Sequence, residues 1–273
     1  MTVSQAIREA TERLSATSPT ARLDAELLMA HALGVSRSDM LLRGSDMVVP
    51  PDFGALVERR IAREPVAYIL GEQEFYGRGF RVTSDVLIPR GDSETVIEAA
   101  LDRMGPTGSV LDLGTGSGAL LLTLLAEKPG WRGVGVDRSQ GALDIAADNA
   151  QRLGLAGRAQ MRLSDWTERE WRDGLGQFDM VISNPPYVES DAELEEDVRG
   201  YEPTGALFAG RDGLDDYRRL VPQLRSLLKP EGFAVLEIGH RQDAAVSVLA
   251  LEHGFTPHLR RDLANRPRAL ILT

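Results

Sequence analysis

Asn184-Pro185-Pro186-Tyr187 follows directly on the apolar run Phe178-Asp179-Met180-Val181-Ile182-Ser183. The run is short and closed by a proline pair, which predicts a buried strand that stops where the prolines begin. A carboxamide offers one acceptor and two donors in a plane, and a residue before proline is held extended, so Asn184 is aimed. Pro185 and Pro186 have no N–H and a fixed φ, leaving their carbonyls as the only backbone groups they present. The Asn184 oxygen and the Pro185 carbonyl are therefore two acceptors able to grip both hydrogens of an NH2 group. Tyr187 offers a flat face for a planar group. Together the four residues suit a planar amino nitrogen, an amide or an aromatic amine. A plain surface turn uses the same residue types, so a second group of residues has to decide.

That second group is Asp112-Leu113-Gly114-Thr115-Gly116-Ser117-Gly118, which follows another apolar run and precedes a helical pattern. Glycines let the backbone approach a ligand, and a helix N-terminus presents unpaired N–H groups. Such a loop alone is shared by dinucleotide enzymes and methyltransferases. Two further acids narrow the choice. Asp137 ends the next apolar run, where a carboxylate accepts from ribose hydroxyls. Asp165-Trp166 ends the third, placed to accept from an adenine amino group and to cover the purine face. Three carboxylates, an indole and no phosphate-binding lysine argue against a pyrophosphate or triphosphate ligand. The best match has a carboxylate, a cationic centre, a ribose and an adenine, which is S-adenosylmethionine.

These residues need strand ends to hold them, and the chain supplies the pattern. From Ser109 onward apolar runs alternate with helical periodicity, which predicts a parallel, doubly wound sheet. The last two strands, near Phe255 to Leu259 and Ala269 to Leu272, lack an intervening helix and predict an antiparallel edge. Upstream, apolar residues recur at three and four: Val3, Ile7, Ala10 and Leu14, then Leu23, Leu27, Leu28 and Ala32 before Gly34. Short helices around Met40 and through Leu56, Val57 and Ile61 complete a small helical bundle. Glu74-Phe75-Tyr76-Gly77-Arg78-Gly79-Phe80-Arg81-Val82 reads as a β-hairpin. It leads to Pro89-Arg90-Gly91-Asp92-Ser93-Glu94, with Asp92 or Ser93 placed to cap the following helix and the hairpin and Pro-Arg segment placed to wall one side of a site. The expected domains are a helical bundle over 1–70, a hairpin linker over 71–91 and a catalytic domain over 92–273.

Among 273 residues the net charge is −10, with no cysteine and no Lys/Arg-rich run. This argues against tight binding to bare nucleic acid but is compatible with a basic protein partner. No apolar run reaches membrane length, and the first residues are charged and amphipathic, so a cytoplasmic protein without membrane contact is expected. His31, His240, His253 and His258 are scattered without ligand spacing, and no metal is expected. Glu237-Ile238-Gly239 reads as the end of a core strand and its turn.

With DLGTGSG, GVD, SDW and NPPY in this order, the chain resembles class I methyltransferases. EPVAYILGEQEFYG, LIPRGDSE and EPTGALFAGRDGLDDYRRL make it similar, over nearly its whole length, to the release-factor glutamine N5-methyltransferases (PrmC/HemK). The resemblance implies a Rossmann-like seven-stranded mixed sheet with an N-terminal helical bundle and a hairpin linker. It implies that Gly114, Thr115, Gly116, Ser117 and Gly118 line the methionyl part of S-adenosylmethionine, that Asp112, Asp137, Asp165 and Trp166 complete the cofactor site, and that Asn184 faces both ligands. The acceptor would be the Gln of the Gly-Gly-Gln loop of class 1 peptide chain release factors, held by Asn184, Pro185, Pro186 and Tyr187, with Arg90 nearby. The bundle would dock the release factor, and the expected state is a monomer. Gly91 departs from the family, which commonly has proline there. Rival readings are a glutamine methyltransferase of a ribosomal protein, whose linker usually reads Arg-Ser-Pro-Ile-Ala-Glu, a DNA adenine methyltransferase, which should carry a basic target-reading region, and a non-catalytic adaptor.

Overall fold

The computed structural model describes residues 1–273, except for the side chain of Ser45. Contacts divide the chain into two units: Met1–Glu72 together with Leu194–Glu202, and Gln73–Glu193 together with Pro203–Thr273. A stretch from the middle of the chain thus belongs with the N-terminal helices, an excursion that no composition shift announces.

The smaller unit holds helices Val3–Leu14, Ala21–Leu33, Arg37–Arg43, Phe53–Ile61 and Val66–Leu70, with Glu196–Tyr201 joining them. The first helix begins at a capping box, in which the Thr2 side chain accepts from the Gln5 amide while the Gln5 side chain accepts from the Thr2 amide. Val3, Ile7, Ala10 and Leu14 are buried along one stripe, as their spacing predicts. The second helix turns differently: Leu23 is 42% exposed, and Asp24, Ala25, Leu28 and Met29 face inward. A carboxylate sits on the buried face because it is fully partnered. Asp24 accepts from Arg60 at 2.7 Å, from Ser18 at 2.7 Å and from Thr20 at 2.8 Å, which offsets the cost of burying the charge. The returning segment is fastened by Arg63 to Glu196 at 2.5 Å, by Arg60 to Asp197 at 3.6 Å, and by the Tyr201 hydroxyl donating to the Ala62 carbonyl at 2.7 Å. Helices Val66–Leu70 and Glu196–Tyr201 are too short to leave a periodic signature.

A hairpin of β1 (Glu72–Phe75) and β2 (Arg78–Arg81), in the larger unit from Gln73 onward, precedes a seven-stranded sheet. The strands are β3 (Thr107–Leu113), β4 (Gly130–Asp137), β5 (Ala159–Leu163), β6 (Phe178–Ser183), β7 (Leu228–Glu237), β8 (Pro257–Arg261) and β9 (Pro267–Leu272). Their order is β5-β4-β3-β6-β7-β9-β8. The first five are parallel, and β9 runs antiparallel to both β7 and β8. Strand β6 is buried on both faces: Met180 and Ile182 belong to one core, Val181 to the other. That is why Met180-Val181-Ile182 is a continuous apolar run. The order reverses between β3 and β6, the place where open α/β sheets carry their ligands.

One expectation fails locally. Helix Glu94–Leu101 has no side-chain cap, because a 3₁₀ turn, Gly91–Ser93, leads into it and leaves Ser93 in the helical region. Asp92 instead accepts from Arg268 at 2.7 Å, and Ser93 is buried. Glu94 accepts the Tyr76 amide at 3.1 Å, closing the hairpin turn.

Candidate active site

Leu113 and Ser183 are partners at the ends of β3 and β6, and the Ser183 hydroxyl donates to the Leu113 carbonyl at 2.6 Å. The next residues are Gly114 and Asn184, so the glycine turn and the Asn-Pro-Pro-Tyr motif leave neighbouring strands at one level. Gly114 has φ 75°, and a Cβ there would lie 3.2 Å from the Trp166 ring. A left-handed residue without a side chain is what lets the indole lie against the turn.

A cavity of about 280 Å3 opens at these strand ends. Its walls include Gly114, Thr115, Gly116, Ser117, Asp137, Asp165, Trp166, Arg90, Asn184 and Pro186. The Gly116 amide donates to Asp137 Oδ2 at 2.9 Å and the Ser139 amide to Oδ1 at 3.0 Å. These bonds fix the carboxylate while each oxygen keeps a further lone pair. Asp165 accepts the Thr167 amide through Oδ1 at 2.8 Å. The Trp166 indole N–H donates to Asp216 at 2.8 Å, which sets the ring plane. Asn184 is half-buried, and its carboxamide has no hydrogen-bond partner among the described residues.

Four sequence-predicted residues stand off the cavity wall. Pro185 is buried and its side chain does not line the cavity. Gly118 closes the turn, its amide donating to the Thr115 carbonyl at 2.8 Å. Asp112 lies beneath the loop, 1% exposed, accepting from Thr115 Oγ1 at 2.7 Å while its other oxygen has no partner. Burial, reinforced by the Asp137 charge and opposed by the Thr115 bond, pushes its carboxyl up to about 7. Tyr187 points away from the cavity, its hydroxyl donating to Glu237 at 3.2 Å. Burial holds both that phenol and the Glu237 carboxyl above their ordinary ranges. A strand pattern gives the alternation of faces but not the direction of a side chain beyond the strand's end, so the sequence could not separate a stacking Tyr187 from an anchored one.

The cavity also has walls that residue types alone did not single out. Ser84, Asp85, Val86 and Leu87 follow the hairpin, and Pro203, Gly205 and Ala206 belong to EPTGAL. Arg138, next to Asp137, also lines the cavity and donates to the Gly205 carbonyl at 2.8 Å. Neither Arg138 nor Asp216 carries a motif of its own; each acts through a partner on another element.

Residues 5–71 match the model of the PrmC N-terminal domain and residues 106–248 that of a methyltransferase domain. A release factor glutamine methyltransferase of Rhodospirillum rubrum is 42% identical, over 92% of this chain and 78% of its own. One from Moorella thermoacetica is 40% identical over 99% and 98%. The chain belongs to the release factor glutamine methyltransferase family. Among solved structures, a methyltransferase from Pyrococcus furiosus superposes with a TM-score of 0.53 at 16% identity, covering 80% of this chain and 96% of its own. A ribosomal protein L11 methylase from Lactobacillus delbrueckii gives 0.50 at 21%, covering 74% and 89%. At such identities these two speak for the fold alone. Membership of the family also accounts for the match at both ends of the chain, helical bundle included, which a generic methyltransferase domain does not provide.

Proposed function

We propose that this protein transfers a methyl group from S-adenosylmethionine to the side-chain amide nitrogen of the Gln in the Gly-Gly-Gln loop of class 1 peptide chain release factors. The observation that carries the reading is the unpartnered Asn184 carboxamide beside the glycine turn, in one cavity with the Asp137 and Asp165 carboxylates and the Trp166 indole. The donor set fits the cofactor: Asp137 has lone pairs for ribose hydroxyls, Asp165 for an adenine amino group, and Trp166 has a face for the purine. The open Gly114–Ser117 turn leaves room for the methionyl part. When bound, the cofactor supplies an electrophilic methyl group.

An amide nitrogen is a weak nucleophile because its lone pair is shared with the carbonyl. The wall residues include no histidine, lysine or cysteine to act as a strong base. In our reading Asn184 and the Pro185 carbonyl accept the two N–H bonds and fix the nitrogen in one orientation, so catalysis is positioning and charge stabilisation. One proton passes to water as the new N–C bond forms. Tyr187 serves by anchoring the turn from behind. Arg90 and Pro186 face the acceptor, and the bundle of residues 1–70 docks the release factor, whose basic surface suits a chain of net charge −10. The work belongs in the cytoplasm, where release factors act; no helix among the described residues is long and apolar enough to cross a membrane.

The test is to incubate the purified protein with methyl-labelled cofactor and a release factor, alongside the same factor with its loop Gln changed to Ala. Label should enter the first and not the second; equal labelling of both, or of neither, defeats the reading.

A further inference from the structure

Pro185 and Pro186 cannot donate, so the acceptor motif has few backbone handles of its own. Just beyond it Val188 pairs with the segment 207–209, its amide donating to the Leu207 carbonyl at 2.9 Å; Tyr187 itself is held from the turn after β7. Gln242 Nε2 donates to the Tyr187 carbonyl at 3.0 Å and to the Gly213 carbonyl at 3.1 Å, while its Oε1 accepts the Gly239 amide at 3.0 Å. Both donors and the acceptor of that carboxamide are engaged, so its plane is fixed. Gly213 has φ 68°, and a Cβ there would stand 2.3 Å from the Tyr187 carbonyl oxygen. Only glycine lets that backbone come so close. At the other end of the same residue, the Tyr187 hydroxyl reaches Glu237 Oε1 at 3.2 Å. Glu237 is itself steadied by the Tyr217 hydroxyl, which donates to its backbone carbonyl at 2.7 Å. Tyr187 is thus gripped at its carbonyl and at its phenol by residues 237 and 242.

We infer that Gln242 and Glu237 are positioning residues for methyl transfer, acting through Tyr187 to hold Asn184 and Pro185 at the angle the acceptor amide requires. The inference rests on the proposed function and adds to it two residues that touch neither ligand. Strand β6 fixes Asn184 from its N-terminal side, and three residues later the clamp fixes the chain again. Released at one end, the turn keeps its place on the sheet but loses its aim.

The test uses the full-length protein with cofactor and release factor. Gln242→Glu keeps size and the acceptor for Gly239 but turns both donors into acceptors facing carbonyl oxygens. It should lower kcat by about tenfold or more while the Kd of S-adenosylhomocysteine stays within about twofold of wild type, the separation expected of lost orientation. Glu237→Ala should behave likewise and Glu237→Gln, which still accepts from Tyr187, should recover most of the loss. Gln242 is half-buried, so its variant does not depend on the tolerance of the core around Glu237. Wild-type kcat in Gln242→Glu, a parallel loss of homocysteine-product affinity, or no recovery in Glu237→Gln overturns the inference. Wild-type protein that fails to label the release factor would instead sink the function itself, so the two failures are told apart.

Discussion

The Ser183 hydroxyl donates to the Leu113 carbonyl at 2.6 Å, a buried bond that ties the last residue of β6 to the last residue of β3. Both ligand-bearing turns start one residue beyond it. Ser183→Ala removes the donor without leaving a polar side chain behind, and should cost about 1 kcal/mol of stability. Urea unfolding of wild type and variant checks this; an unchanged midpoint would mean the bond contributes nothing beyond the ladder.

Asn184→Ala removes the only side-chain amide in the cavity wall. We expect kcat to fall about 100-fold or more, in the range found when a positioned polar group is lost, with S-adenosylhomocysteine binding within about threefold. Isothermal titration beside steady-state kinetics separates the two quantities. A kcat near that of wild type removes the role given to this residue.

Trp166→Ala should weaken cofactor binding. An aromatic face under a base is worth about 1–3 kcal/mol, so the cofactor KM should rise by about fivefold to 150-fold, with kcat at saturation little changed. Asp216→Ala, which frees the indole from its 2.8 Å bond, should raise the same KM by a smaller factor. If Asp216→Ala matches wild type, the ring is held by packing alone.

Burial raises Asp112 from the ordinary 3.8 to about 7. The folded state therefore holds this proton more tightly than the unfolded chain does. Its contribution to stability is complete below pH 3.8 and is lost as pH rises through about 7. In the cofactor-free protein, wild type should lose stability relative to Asp112→Asn between about pH 4 and pH 7, by up to about 1.4 kcal/mol per pH unit, and level off above that. Parallel pH profiles of urea midpoints in the two proteins would contradict this.

Much of the site was legible because its signals are local. Met180-Val181-Ile182 is apolar without a break, and Pro185-Pro186 marks the end of the strand, so the position of Asn184 followed from pattern alone. The glycine loop, Asp137 and Asp165-Trp166 each sat just past an apolar run. What could not be read depends on pairs far apart in the chain. Tyr187 turns inward because Glu237 receives it, and Asp92 leaves the helix cap because Arg268 draws it away. Leu23 is exposed because Asp24, with Arg60 as partner, takes its place on the buried face. In each case an apolar stripe or a capping preference yielded to a polar contact that only the folded chain brings together.

The excursion of Leu194–Glu202 into the smaller unit bears on how the protein is made. During synthesis the N-terminal helices emerge first, yet Arg63 and the Ala62 carbonyl wait for Glu196 and Tyr201, which leave the ribosome only after β3 to β6 have followed. The nascent bundle must stay open along that edge until about three quarters of the polypeptide exists, so its completion is timed by elongation rather than by its own collapse.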